Sequence, residues 1–274
     1  MFAVGSDCVT CGLCSRVCVS GIIKVGPDKR PFVAEGDEKK CLRCGQCVAF
    51  CPKGCCSLSF QTGPRVAVDW SKFPDPASAE TLLRSRRSVR NFKKTPVSME
   101  TVSRLLETAR YAPTASNRQP VRWVIVMTRE KLEEIGGLTA RALKSGATGR
   151  KWDEWVGAEW EKGHDVIFRG APQLAAAIVP NTVTEDGAIA LAHFELAAHA
   201  LGVGCCWAGI FNRVARKSPE VLASIGVKED ELLAGSIMFG NPDVPRARLL
   251  PERNPVNVTW LITPTSPTPP RAAS

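Results

Sequence analysis

Eight cysteines crowd into two short stretches of this 274-residue chain, and their spacing restricts the fold more than any other feature. Residues 41–52 read C-x2-C-x2-C-x3-C-P, with Cys41, Cys44, Cys47 and Cys51 followed by Pro52. Cys8, Cys11, Cys14 and Cys18 repeat the pattern 33 positions earlier, and Gly12 and Gly21 precede Gly45 and Gly54 by the same offset. Residues 1–60 therefore read as an internal duplication. One departure is visible, for Val19 stands where the second copy has Pro52.

A thiolate at every third residue lets a short looping segment wrap three corners of a cubane, and the fourth corner comes from elsewhere. By that rule Cys8, Cys11, Cys14 and Cys51 hold one [4Fe–4S] cluster, and Cys41, Cys44, Cys47 and Cys18 hold the other. On this assignment Cys51→Ala costs iron. Pairs of C-x2-C also bind zinc, but zinc ribbons separate their pairs by a long loop. With these eight residues the first sixty resemble a two-cluster bacterial ferredoxin, a small domain built on a duplicated βαβ-type cluster-binding repeat. It has few large apolar side chains, so metal binding is expected to supply part of its folding free energy.

The remaining cysteines read as structural. Cys55 and Cys56 fall 33 positions after Ile22 and Ile23 and should take the same half-buried strand positions. Cys205 and Cys206 lie in an apolar segment and read as core. Twelve cysteines, a start that is neither basic nor a long apolar run, and no stretch of transmembrane length suggest a soluble cytoplasmic protein in a reducing compartment.

The formal charge of +9 invites a nucleic-acid reading. Two clusters and a bound phosphate at about −2 each would leave roughly +3. The densest basic patch, Arg84–Arg90, has neither a recognition helix nor interleaved aromatics, so no nucleic-acid partner is expected.

The chain divides into residues 1–62, a linker over 63–79, a larger domain over 80–262 and a Pro/Thr/Ser tail over 263–274 expected to be disordered. In the larger domain Ser98 is a candidate N-cap for a helix with Val102, Leu105, Leu106 and Ala109 on one face. Val121–Met127, Leu174–Val179, Ser236–Phe239 and Val256–Ile262 read as strands. Ser218 and Pro219 open a short helix that Gly226 ends. Between the first two strands, residues 129–170 are charged and helical, and their Trp152, Trp155 and Trp160 suit either a lid or packing within the domain. Residues 187–201 form a helix whose polar exceptions are His193, Glu195 and His199, and it should be buried on most sides, most easily at a homodimer interface. The class is α+β. No G-x-G-x-x-G follows a strand, which argues against a Rossmann dinucleotide site.

Three segments of the larger domain resemble the nitroreductase family of FMN flavoproteins: Arg86–Phe92 (RRSVRNF), Ala112–Pro120 (APTASNRQP), and Gly240-Asn241-Pro242 followed by Pro251–Pro255 (PERNP). The run Gly202–Gly209 (GVGCCWAG) adds a fourth point. The resemblance implies a sheet flanked by helices and an intertwined homodimer with two FMN sites at its interface. It implies that Arg86, Ser88 and Arg253 hold the flavin phosphate, with Arg87 as a neighbouring contact. By the same resemblance Arg90 lies near N1 and O2 of the ring, Pro113, Thr114 and Asn117 lie around ring and ribityl chain, and Gly209 lies at the N5 edge. Guanidinium forks and a hydroxyl suit a phosphate dianion, and a cation near N1 stabilises reduced flavin. Ala115 and Ala208 depart from the polar residues many relatives carry, which bears on substrate range. No side chain is expected to act as catalytic acid or base.

The combined expectation is an oxidoreductase using FMN and two [4Fe–4S] clusters to reduce an electron-poor small molecule such as a nitroaromatic or quinone, with reduced ferredoxin as donor. Alternatives are NAD(P)H-driven flavin reduction with electrons exported through the clusters, and a non-catalytic electron carrier or docking protein.

Overall fold

The computed structural model describes residues 1–61, 63–181 and 183–261. The predicted tail over 263–274 lies outside them.

The N-terminal module is built twice. Its first copy holds β1 (Phe2–Val4), α1 (Leu13–Arg16) and β2 (Ile23–Val25), and its second holds β3 (Pro31–Val33), α2 (Gln46–Ala49) and β4 (Cys56–Leu58). The copies share backbone as well as residues. Gly12 and Gly45 precede the two helices with φ of 69° and 74°, and Thr10 and Arg43 lie in the left-handed region with φ of 53° and 57°. β1 pairs with β4 and β2 with β3, both antiparallel. The core is small, with Ile22, Ile23, Cys56 and Leu58 buried beside Cys14 and Cys47.

After an exposed stretch, α3 (Pro76–Ser85) begins inside the predicted linker, because Asp75 caps it by accepting from Ser78 N–H at 2.9 Å and Pro76 suits its first position. Then follow α4 (Met99–Ala109), β5 (Arg122–Val126), α5 (Arg129–Lys144), α6 (Asp153–Glu161), β6 (Gln173–Pro180), α7 (Thr184–Ala200), β7 (Gly204–Trp207), α8 (Gly209–Ala215), α9 (Pro219–Ser224) and β8 (Glu231–Gly240). The expected Ser98 cap forms, accepting from Thr101 N–H at 3.2 Å.

The four strands make one antiparallel sheet in the order β5-β6-β8-β7. β6 is buried on both faces, which is why it reads as a continuous apolar run. Leu174, Ala176 and Ile178 face a core with Leu132, Ile135 and Phe211, whereas Ala175, Ala177 and Val179 face one with Leu105, Leu191 and Phe194. The result is a sheet between two helical layers. α7 lies close on it, since a Cβ at Gly187 would stand 2.3 Å from the Ala234 Cβ. The polar exceptions on α7 each have a partner: His193 meets the Ile189 carbonyl, Glu195 meets Arg86, and His199 meets Ser85.

Two expectations are corrected or decided. The strand predicted over Val256–Ile262 does not form across its described residues 256–261, which have no regular structure and are exposed, with Leu261 93% accessible. Among the described residues its alternating apolar pattern has no neighbouring strand, and an isolated strand is not stable. The Trp-rich segment packs within its own domain. Trp160 covers Gly136, whose Cβ would fall 2.1 Å from the indole, and Arg213 lies 4.7 Å above the Trp152 ring, while Trp155 is exposed. No helix among the described residues is long and apolar enough to cross a membrane.

Candidate cluster and flavin sites

The fold sorts the eight motif cysteines into two groups. Cys8, Cys11, Cys14 and Cys51 line one cavity, and Cys18, Cys41, Cys44 and Cys47 line another. Each cavity thus takes three cysteines from one repeat and the fourth from the other. The second also has walls of Ile22, Ile23, Val33 and Leu58, a dry lining that suits a cluster held by thiolates. Burial pushes the Cys47 thiol up to about 11. At Cys51 burial pulls the same way, but donors outweigh it and hold the thiol near 6, chiefly Cys56 N–H, the Cys55 thiol and Lys53 N–H.

The residues expected around a flavin fall into two places in the chain. Arg86, Arg87 and Arg253 line a large open cavity of about 970 Å³ together with Leu250, Val256 and Trp260. Arg86 is fixed there by Glu195, Nη1 to Oε1 3.0 Å, and Trp207 Nε1 donates to the other carboxylate oxygen at 3.3 Å. Nothing in the basic motif itself announced Glu195. The signal was a carboxylate in a largely apolar helix, which needs a buried partner. Ser88 bridges to Cys205 at the edge of the sheet, where Val89 N–H donates to the Cys205 carbonyl at 2.8 Å. Cys205 is buried, and that burial raises its thiol well above the ordinary range, in keeping with a core role. The basic segment is also joined to the Gly240–Pro242 motif, since Lys93 N–H donates to the Asn241 carbonyl and Asp243 N–H to that of Asn91. Arg90 is exposed on this segment. At Gly209 nothing stands within 4 Å of where a Cβ would be, leaving the backbone open to a flat ligand.

Thr114 and Asn117 lie elsewhere, with Pro113 exposed beside them. Thr114 lines a separate cavity with Trp123 and Ala190. The loop is tightly held: Ala115 N–H donates to Asp186 Oδ1 at 3.0 Å and Gln119 N–H to Thr114 Oγ1 at 3.0 Å. Ser116, Asn117 and Gln119 all have φ between 51° and 53°, a costly run for residues with side chains. Its outcome is that Asn117 Nδ2 reaches out of the domain and donates to the Arg43 carbonyl at 3.0 Å, between Cys41 and Cys44 of the N-terminal module.

Comparison with known proteins agrees with both halves. The model of the Nitroreductase family matches residues 83–241, and that of the 4Fe-4S dicluster domain matches residues 7–55. A putative NADH dehydrogenase/NAD(P)H nitroreductase of Archaeoglobus fulgidus is 24% identical over 162 residues, 59% of this chain and 83% of that protein. One subunit of an ion-translocating oxidoreductase complex of Methanosarcina acetivorans is 44% identical over 46 residues, 17% of this chain and 16% of its own. Among solved structures, an FMN-bound nitroreductase of Bacteroides fragilis superposes with a TM-score of 0.54 at 25% identity, covering 67% of this chain and 97% of that one. With more than half of its length inside the family match, this chain belongs to the Nitroreductase family and is a flavin oxidoreductase preceded by a 4Fe–4S dicluster domain.

Proposed function

We propose that the two modules form one electron path, accepting electrons at the ferredoxin-like part and delivering them to an electron-poor small molecule of the nitroaromatic or quinone class. The contact between Asn117 and Arg43 carries this proposal, because it ties a loop of the flavin domain to the turn between two cluster cysteines. When bound, two [4Fe–4S] clusters would pass electrons singly and FMN would collect them in pairs.

The chain's own residues have distinct tasks. Cys8, Cys11, Cys14 and Cys51 hold one cluster, and Cys41, Cys44, Cys47 and Cys18 the other, supported by the two cavities that gather these sets. Arg86, Ser88 and Arg253 bind the flavin phosphate with Arg87 beside them, and Glu195 sets the angle of Arg86. Arg90 places a cation near N1 and O2. Pro113, Thr114 and Asn117 contact ring and ribityl chain, and Gly209 leaves its backbone free at the N5 edge.

Since Arg86, Arg87 and Arg253 line one cavity of the chain and Thr114 another, we place the complete site in a homodimer, where the 113–117 loop of one copy meets the arginines of the other. The exposed segment 251–261, with Val256 79% and Trp260 58% accessible, supports this.

The donor separates two versions. The Archaeoglobus relative's name favours a nicotinamide, whereas the docked cluster loop favours reduced ferredoxin. Anaerobic mixing with NADH or NADPH, following flavin and cluster absorbance separately, decides. Prompt reduction by reduced ferredoxin with no bleaching by NAD(P)H is the expected result, and rapid flavin bleaching by NAD(P)H would contradict it.

A further inference from the structure

The duplication provides an internal control on the two cysteine cavities, and the control is uneven. Cys55 and Cys56 line the cavity of Cys8, Cys11, Cys14 and Cys51, so six thiols surround it. At the equivalent positions the other cavity has Ile22 and Ile23, and it holds four cysteines. Size alone does not require sulfur at position 55, since the first repeat fills the matching place with an isoleucine.

Cys55 Sγ lies 3.4 Å from Cys51 Sγ. That is contact distance, well beyond the roughly 2.05 Å of a disulfide. The sulfurs of Cys51, Cys55 and Cys56 all lie within 4.8 Å of one another. Backbone geometry sets this approach. Gly54, at φ 61°, turns the chain back with its N–H on the Cys51 carbonyl at 3.0 Å, and Gly5 N–H then holds the Cys55 carbonyl at 2.9 Å. The next residue, Cys56, pairs with Val4 in the β1–β4 ladder. A sulfur fixed in contact with a ligand sulfur is within one side-chain rotation of the metal that ligand holds. Cys56 is worse placed, being 2% exposed and packed in the module's small core.

We propose that Cys55 is a reserve ligand for the cluster at Cys8, Cys11, Cys14 and Cys51, able to take over the iron corner held by Cys51. The proposal rests on the assignment of that cavity to a 4Fe–4S cluster. The exchange is redox-neutral: the Cys55 thiol loses its proton and its sulfur bonds iron, while the iron–sulfur bond to Cys51 breaks and Cys51 sulfur takes up a proton. The other cluster has no such reserve, because residue 22 is isoleucine. The expectation that Cys51→Ala costs iron is thereby revised.

Four variants of the full chain, purified anaerobically and assayed for iron, sulfide and the electron paramagnetic resonance of the reduced clusters, test this. Cys51→Ala is expected to keep the wild-type iron with altered g values, and Cys55→Ala to keep it as well. Cys51→Ala/Cys55→Ala and Cys18→Ala are each expected to lose half. Cys51→Ala falling as far as Cys18→Ala would overturn the proposal, and so would full iron in the double variant. Full iron in Cys18→Ala would instead remove the ligand assignment underneath it. Flavin content shows whether the rest of the chain has folded. If Cys51→Ala does not accumulate, Cys51→Ser decides the same point, with iron expected to halve only when Cys55 is also removed.

Discussion

Asn117 Nδ2 donates to the Arg43 carbonyl oxygen at 3.0 Å, joining two residues 74 apart in sequence and in different modules. Both have positive φ, 53° and 57°, so each loop holds an uncommon backbone conformation at the point where they meet. Asn117→Asp keeps the shape and the tolerance for this conformation but cannot donate. Loss of one such bond costs about 1 kcal/mol, or roughly fivefold in a local opening equilibrium. Hydrogen exchange of the 114–119 segment should quicken by about that factor, and unchanged exchange would mean that the contact does not hold the loop.

The Arg86–Glu195 pair is partly buried, with Glu195 the deeper member. Removing the arginine strands the carboxylate, whereas Glu195→Gln leaves a neutral group whose single carbonyl oxygen can still accept from Arg86. Arg86→Ala should therefore cost about 3 kcal/mol in urea denaturation and Glu195→Gln distinctly less. Equal losses would contradict this order.

Gly136 and Trp160 test the packing of the aromatic segment. Gly136→Ala places a methyl 2.1 Å from the indole, and overpacking of this kind costs about 1–3 kcal/mol. A melting point lower by roughly 5 °C is expected. Trp155→Ala, at an exposed position, should change stability by less than about 0.5 kcal/mol. The opposite ranking would point back to a lid.

Arg122 on β5 forks onto Glu231 on β8, with Nε to Oε1 at 2.8 Å. The hydrogen bond from Arg122, helped by Lys228 N–H, holds the Glu231 carboxyl down to about 2. The folded value lies below the unfolded one, so the unfolded state binds the extra proton in between. The contribution is complete above about pH 4.5 and is lost as pH falls toward 2. Because the pair is partly exposed, Glu231→Gln should cost about 1 kcal/mol at pH 7 and progressively less as pH falls through about 2 in chemical denaturation.

What the sequence disclosed follows the range of the interactions concerned. The cysteine repeat, the Ser98 cap and the strands around Val124 and Ala176 are written in residues near one another, and the two-module, α+β organisation was legible from them. Val256–Leu261 carries the same alternation as a true strand, but a strand exists only with a partner, and that partner is not encoded locally. Glu195 looked like an anomaly in α7 until Arg86, 109 residues away, was seen beside it. Cys55 matched an isoleucine in the repeat and therefore read as filler, since nothing in spacing alone reports that Gly54 folds its sulfur onto that of Cys51.

The most direct test of the coupled path is flash reduction of the clusters in the anaerobic holoprotein, with flavin absorbance followed over time. The account predicts that cluster absorbance recovers as flavin absorbance bleaches, at a rate independent of protein concentration. Clusters that stay reduced beside oxidised flavin, or a transfer rate that rises with protein concentration, would contradict it.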